Sequence, residues 1–149
     1  MSRQKALRDE LWRLAKTGDA AALRRAGDVL EGYDAHRARA FALALRGRGD
    51  DAVAQLEEGA ADGWPFPAAL AADRARVRFL AGDYQRSLAA LEPAVHAADR
   101  VDPATADLAA DIAAREPALR LRAVRLVLGG GTTWQRLRNA AAAASSRDR

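Results

Sequence analysis

Gly82-Asp-Tyr-Gln-Arg-Ser-Leu-Ala-Ala-Leu-Glu-Pro-Ala94 repeats, 35 residues further on, the pattern of Gly47-Arg-Gly-Asp-Asp-Ala-Val-Ala-Gln-Leu-Glu-Glu-Gly59. Small, aliphatic and leucine positions stand in register. Self-similarity at this period marks helix pairs that cannot bury their apolar faces alone and must stack on their neighbours. The repeat therefore predicts an all-α chain with an extended, curved surface.

Punctuation on either side supports this reading. Leu7, Leu11 and Leu14 form an apolar stripe on a helix over 3–16, which Thr17-Gly18 ends and Asp19 restarts as an N-cap. The second helix runs to Leu30, and Asp34 is placed to cap a third over 35–46 that is apolar on most faces and so expected to be buried. Asp50 is expected to cap a fourth helix to Ala61, with Val53 and Leu56 inward. Asp62-Gly-Trp-Pro-Phe-Pro67 forbids helix, and Pro67 suits the first turn of a fifth helix to Leu80. Gly82-Asp83 is expected to cap a sixth helix, which Pro93 is expected to kink or interrupt before Val95 to Ala98 finishes it. Asp102-Pro103 starts a seventh and Pro117 an eighth that reaches Leu128. After Gly129-Gly-Gly-Thr-Thr133, a last helix is expected from Trp134 to Ala144. That gives eight or nine helices in one domain over 1–144, with a repeat-like part (3–99), a C-terminal helical cap (102–144) and a disordered tail (145–149).

The 149 residues suffice to bury roughly 70% of the surface of the unfolded chain. With no cysteine, disulfides, thiolate-held zinc and thiol nucleophiles are excluded together. No secretory h-region or membrane-length apolar run is present, so a soluble, cytoplasmic protein is expected. The net charge of +4 and pI near 10.3 rest almost wholly on arginine, since Lys5 and Lys16 are the only lysines. Such Arg- and Ala-rich usage fits GC-rich, bacterial-type coding and weakens the pI as a sign of nucleic acid. The charge is uneven: a basic N-terminal third and a basic C-terminal end flank an acidic middle.

At this point the residues resemble the tetratricopeptide repeat, a helix-turn-helix unit of about 34 residues. Its small packing positions match Ala40 and Ala75 in the first helix, and Ala52 with Ser87 and Gly59 with Ala94 in the second; Leu56 and Leu91 take the large position between them. Gly47 and Gly82 sit at the turn, and Pro65 lies near the proline that closes a unit. The family's first-helix tryptophan and tyrosine are missing, a first unit around Gly18-Asp19 fits more loosely, and residues 100–149 leave the period. The resemblance implies a right-handed stack of antiparallel helix pairs that binds protein segments along the groove formed by the first helices.

Aligning the turns gives candidates for that groove: Arg8 and Trp12, then Arg37 and Phe41, then Arg76 and Phe79, in stripes completed by Ala15, Ala44 and Ala72. Arg pairs bidentately with carboxylates and rings supply contact area, so a partner segment with acidic residues and an apolar anchor is expected. The competing role for these residues is ordinary core filling. Arg120, Arg122, Arg125, Arg136 and Arg138 form a basic helix pair that could contact phosphates, although Arg120, Arg122 and Arg125 interleave with Leu119, Leu121 and Val124 as any amphipathic helix requires. Leu126-Val-Leu-Gly-Gly-Gly-Thr-Thr lacks the lysine and the preceding strand of a phosphate loop. His36 and His96 stand alone, Asp50-Asp51 and Glu57-Glu58 read as first-turn and solvated acids, and no Ser/His/Asp grouping has local support. The sequence thus points to a non-enzymatic protein-binding module without cofactor or metal, compatible with a homo-oligomer. The alternatives are a nucleic-acid binder and a purely structural or self-associating scaffold.

Overall fold

Three helices end in the same way. Gly18, Gly47 and Gly82 take φ of 76°, 77° and 83°, a left-handed conformation open to glycine at little cost. At each turn the glycine N–H donates to the carbonyl three residues back (Ala15, Ala44, Phe79) and the next N–H to the carbonyl five back (Leu14, Leu43, Arg78), at 2.9 to 3.1 Å. This is the Schellman arrangement, which satisfies two carbonyls that the helix end leaves open.

The structure, a computed structural model, describes residues 3–61, 65, 67–97, 102–129 and 141. Its helices are α1 (Arg3–Lys16), α2 (Ala20–Val29), α3 (Gly32–Leu45), α4 (Gly49–Ala60), α5 (Pro67–Leu80), α6 (Tyr84–Ala97), α7 (Pro103–Arg115) and α8 (Arg120–Gly129). No strand occurs among the described residues, and the protein is all-α. The helix expected over 134–144, the tail, and Trp64 and Phe66 of the proline segment lie outside the described residues; so do the side chains of His96 and Ala97.

Asp19 caps α2 as expected, accepting from the Ala22 N–H at 3.0 Å, and α7 starts at Pro103 as expected, with Asp102 accepting from the Ala104 N–H at 3.4 Å. Other helix starts move. α3 starts at Gly32, three residues before the expected position, so Asp34 falls in its first turn. α4 starts at Gly49 with Arg48 as its cap residue, leaving Asp50 and Asp51 in the first turn. There Asp51 bonds Arg48, and Asp50 bonds Arg78 at 2.7 Å. α6 runs through Pro93 without a break, because Leu88, Leu91, Ala94 and Val95 are all buried and hold the helix against the core across the missing hydrogen bond. Pro117 opens a short 3-10 turn to Leu119, and α8 follows from Arg120.

The chain forms two compact units, Met1–Phe66 with Arg76–Asp83, and Pro67–Ala75 with Tyr84–Arg149. In the first, α3 packs against α1, α2 and α4. Ala38, Ala40, Phe41, Ala42 and Ala44 are accordingly buried, as its apolar composition requires. Around it close Leu11 and Ala15 of α1, Leu23 of α2, and Ala52 and Leu56 of α4. In the second unit α7 packs on α6 and α8. Ala71 and Ala72 meet Ala94, and Ser87, fully buried, donates its hydroxyl to the Ala75 carbonyl at 2.6 Å. All eight positions picked out by the repeat, from Ala40 and Ala75 to Gly59 and Ala94, are buried. On the solvent side of α1, Arg13 bonds Glu10 and holds its carboxyl below the usual range, so the little this exposed pair contributes fades as pH falls through the carboxylate range.

Gly59 sets the spacing of α3 and α4. A Cβ there would stand 2.7 Å from the Cβ of His36, at the root of a side chain that cannot rotate away. Alanine would gain about 0.5 to 1 kcal/mol of helix propensity, but forcing the helices apart costs about 1 to 3 kcal/mol. Gly59→Ala is expected to lower stability by about 1 kcal/mol in urea unfolding. A stabilised variant would show that α4 moves off α3 freely.

Candidate functional site

Trp12, Phe41 and Arg76 each stand six residues before their turn glycine, so the common turn geometry brings them to equivalent places on α1, α3 and α5. All three, with Phe79, belong to the first unit. The Trp12 ring centroid lies 5.7 Å from that of Phe41 and 6.4 Å from that of Phe79, with interplanar angles of 58° and 56°. Tilted pairs at this range set the positive edge of one ring against the face of the next. The Arg76 guanidinium lies 5.6 Å from the Trp12 centroid and that of Arg37 5.0 Å from Phe41, within reach of the negative ring faces. Arg37 also donates from Nη1 to the Arg8 carbonyl at 3.3 Å, tying α3 to α1.

Depth separates these residues. Spacing assigns all six an outward role, but Phe41 is 0% and Arg37 2% exposed. They form the underside, because α3 is covered by α1, α2 and α4. A guanidinium out of water needs hydrogen bonds and a charge-stabilising surface, and the Arg8 carbonyl and Phe41 ring provide part of both. Arg8, Trp12, Arg76 and Phe79 are half-buried and keep part of their surface in solvent. The chemistry on offer is thus an indole whose position is fixed by two rings, beside a cation with a fixed place over it.

Of the basic C-terminal residues, Arg120, Arg122 and Arg125 are exposed on α8, while Arg136, Arg138 and Trp134 lie outside the described residues. The expected interleaving is corrected: Leu121 and Val124 are 58% and 48% exposed, and the buried contacts come from Leu119 and Ala123. Leu119 and Ala123, four residues apart, share one helix face, and the arginines do not alternate with a buried Leu121 and Val124. His36 is half-buried and hydrogen-bonds Gln55. Among the described residues no group of three or more His, Cys, Asp or Glu side chains could hold a metal ion, and no helix is long and apolar enough to cross a membrane.

One cluster has no signature in the spacing as a whole. Arg24, Arg39 and Arg46 line one cleft with Ala42, Leu43 and Gln55. Half of it was readable, since residues 39, 42, 43 and 46 share a helix face. Arg24 comes from another helix, and nothing in the spacing links it to them.

Compared with protein-family models, with curated proteins and with solved structures, the chain matches none.

Proposed function

We propose that this chain is a non-enzymatic interaction module built, like tetratricopeptide repeats, of stacked helix hairpins, and that the α1 and α5 stripes, backed by the closed α3 stripe, take up a partner segment bearing carboxylates and an apolar side chain. The observation that carries the reading is Trp12, half-buried, held between Phe41 and Phe79 with Arg76 over its ring. Large aromatic and Arg side chains supply a disproportionate share of interface energy, and a ring already fixed loses little entropy on binding. A carboxylate reaching Arg76 would form a charge-assisted bond while an apolar neighbour covers the exposed edge of Trp12.

Selection from a displayed library of random peptides tests this. The expected result is enrichment of sequences that pair Asp or Glu with an aromatic or branched aliphatic residue. Trp12→Ala and Arg76→Glu are each expected to weaken the selected peptides at least tenfold, with the helical circular dichroism unchanged. Peptides that bind both variants as they bind the parent would sink the reading.

A further inference from the structure

On another face of α3, Arg39 lies across Gly27 of α2. A Cβ at Gly27 would meet the Arg39 Cγ at 2.7 Å, so only glycine lets this stem lie so close. The guanidinium is anchored there by donating from Nη2 to the Gly27 carbonyl at 2.7 Å. Beside it opens a cleft of about 250 Å³, floored by Ala42 and Leu43 and bordered by Arg24 of α2, Arg46 at the end of α3 and Gln55 of α4. All of these belong to the first unit.

Among the described residues, no acidic one lines the cleft. Among the described residues, none of the three arginines makes an ion pair, whereas Arg13, Arg48 and Arg78 each hold a carboxylate. Three like charges around one apolar hollow repel one another, and the low-dielectric floor strengthens both that repulsion and the pull on an anion. The arrangement suits a ligand with two parts. Its anionic head would replace the missing carboxylates, and its apolar body would cover Ala42 and Leu43.

We propose that this cleft binds a small amphiphilic anion, a carboxylate on a short apolar chain. Arg39 is the fixed contact, because the Gly27 carbonyl holds its guanidinium before any ligand arrives. All three arginines are exposed, and Arg24 and Arg46, which lack the Gly27 anchor of Arg39, close on the head from the sides. At about 250 Å³ the cleft lies just below the range of about 300 to 1,000 Å³ usual for ligand pockets, so the apolar chain must be short. This site is independent of the peptide-binding reading, since it shares no side chain with Trp12, Arg76 or Phe79.

Titration of the full chain with octanoate, followed by calorimetry and by NMR shifts of the Gln55 and Arg39 side chains, tests the inference. Octanoate is expected to bind, and octan-1-ol and acetate to bind at least tenfold more weakly, because each lacks one of the two parts. Arg24→Gln and Arg46→Gln are each expected to weaken octanoate about tenfold. Arg25→Gln removes the same charge one residue away, outside the cleft, and is expected to leave binding within twofold. Absence of octanoate binding at millimolar concentration overturns the proposal. So does an equal loss in Arg25→Gln, which would mean that net charge alone attracts the anion, or octan-1-ol binding as well as octanoate.

Discussion

Phe41→Ala is expected to remove about 3 to 5 kcal/mol of stability, a large part of the roughly 5 to 15 kcal/mol that holds a domain folded. Phe41 is fully buried, and its ring meets Trp12 on one side and the Arg37 guanidinium on another. Truncation therefore takes three things together: the transfer free energy of the ring, the packing of Trp12, and the face that helps offset the burial of Arg37. The last of these makes the site worse than an ordinary core position, because the charge stays behind in a newly vacated space. In urea, where small proteins have slopes of about 1 to 3 kcal/mol per molar, the unfolding midpoint is expected to fall by about 2 M. Phe41→Leu keeps most of the volume and is expected to cost less than half as much. A midpoint for Phe41→Ala within 0.3 M of the parent would mean that the ring is not the closed centre of the first unit.

The same residue shows what was and was not legible in the sequence. Each stripe, such as Arg37 with Phe41, could be read from one helix by spacing alone. How deep it lies could not, because that depends on how many helices cover the one that carries it. α3 is packed by α1, α2 and α4, so its stripe is closed, while Trp12 of α1 and Phe79 at the end of α5 keep part of their surface in solvent. Spacing alone assigns the outward role to all of them alike. The turns were easier, since a glycine with positive φ followed by the next helix leaves a local signature three times over.

Helix starts divide by the same logic. Asp19 and Asp102 bond a backbone N–H in their own turn and were readable. Asp34 and Asp50 occupy first turns, where a carboxylate is favoured by the helix dipole without being the cap, and composition alone does not separate the two positions. Pro93 misled in the opposite direction. Its missing N–H is a local defect, but the buried residues on both sides of it are tertiary and decide the outcome. The anion cleft was hidden for a related reason, since it needs Arg24 from α2 beside a stripe of α3.

Leu56→Ala and Leu91→Ala make the sharpest comparison, because the repeat equates the two positions and both side chains are fully buried. Truncating a buried leucine costs about 2 to 5 kcal/mol, and the spread reflects how far the surroundings collapse into the void. Leu56 lies on α4 between Ala52 and Gly59, and at Gly59 the helix already touches the root of His36. α4 cannot move closer to α3 to fill the space, so the loss is expected near the upper end, about 4 kcal/mol. Leu91 lies on α6, two residues before Pro93, where one ladder hydrogen bond is absent. A helix released at that point bends at lower cost, and its partner contact at Ala94 is with the small Ala71 and Ala72. The loss for Leu91→Ala is therefore expected nearer 2 kcal/mol. Amide hydrogen exchange, which reports the opening free energy of α4 and α6 separately, measures both. If Leu91→Ala proves the costlier substitution, the rigidity assigned to the Gly59 and His36 contact is mistaken, and the repeat positions differ for some other reason.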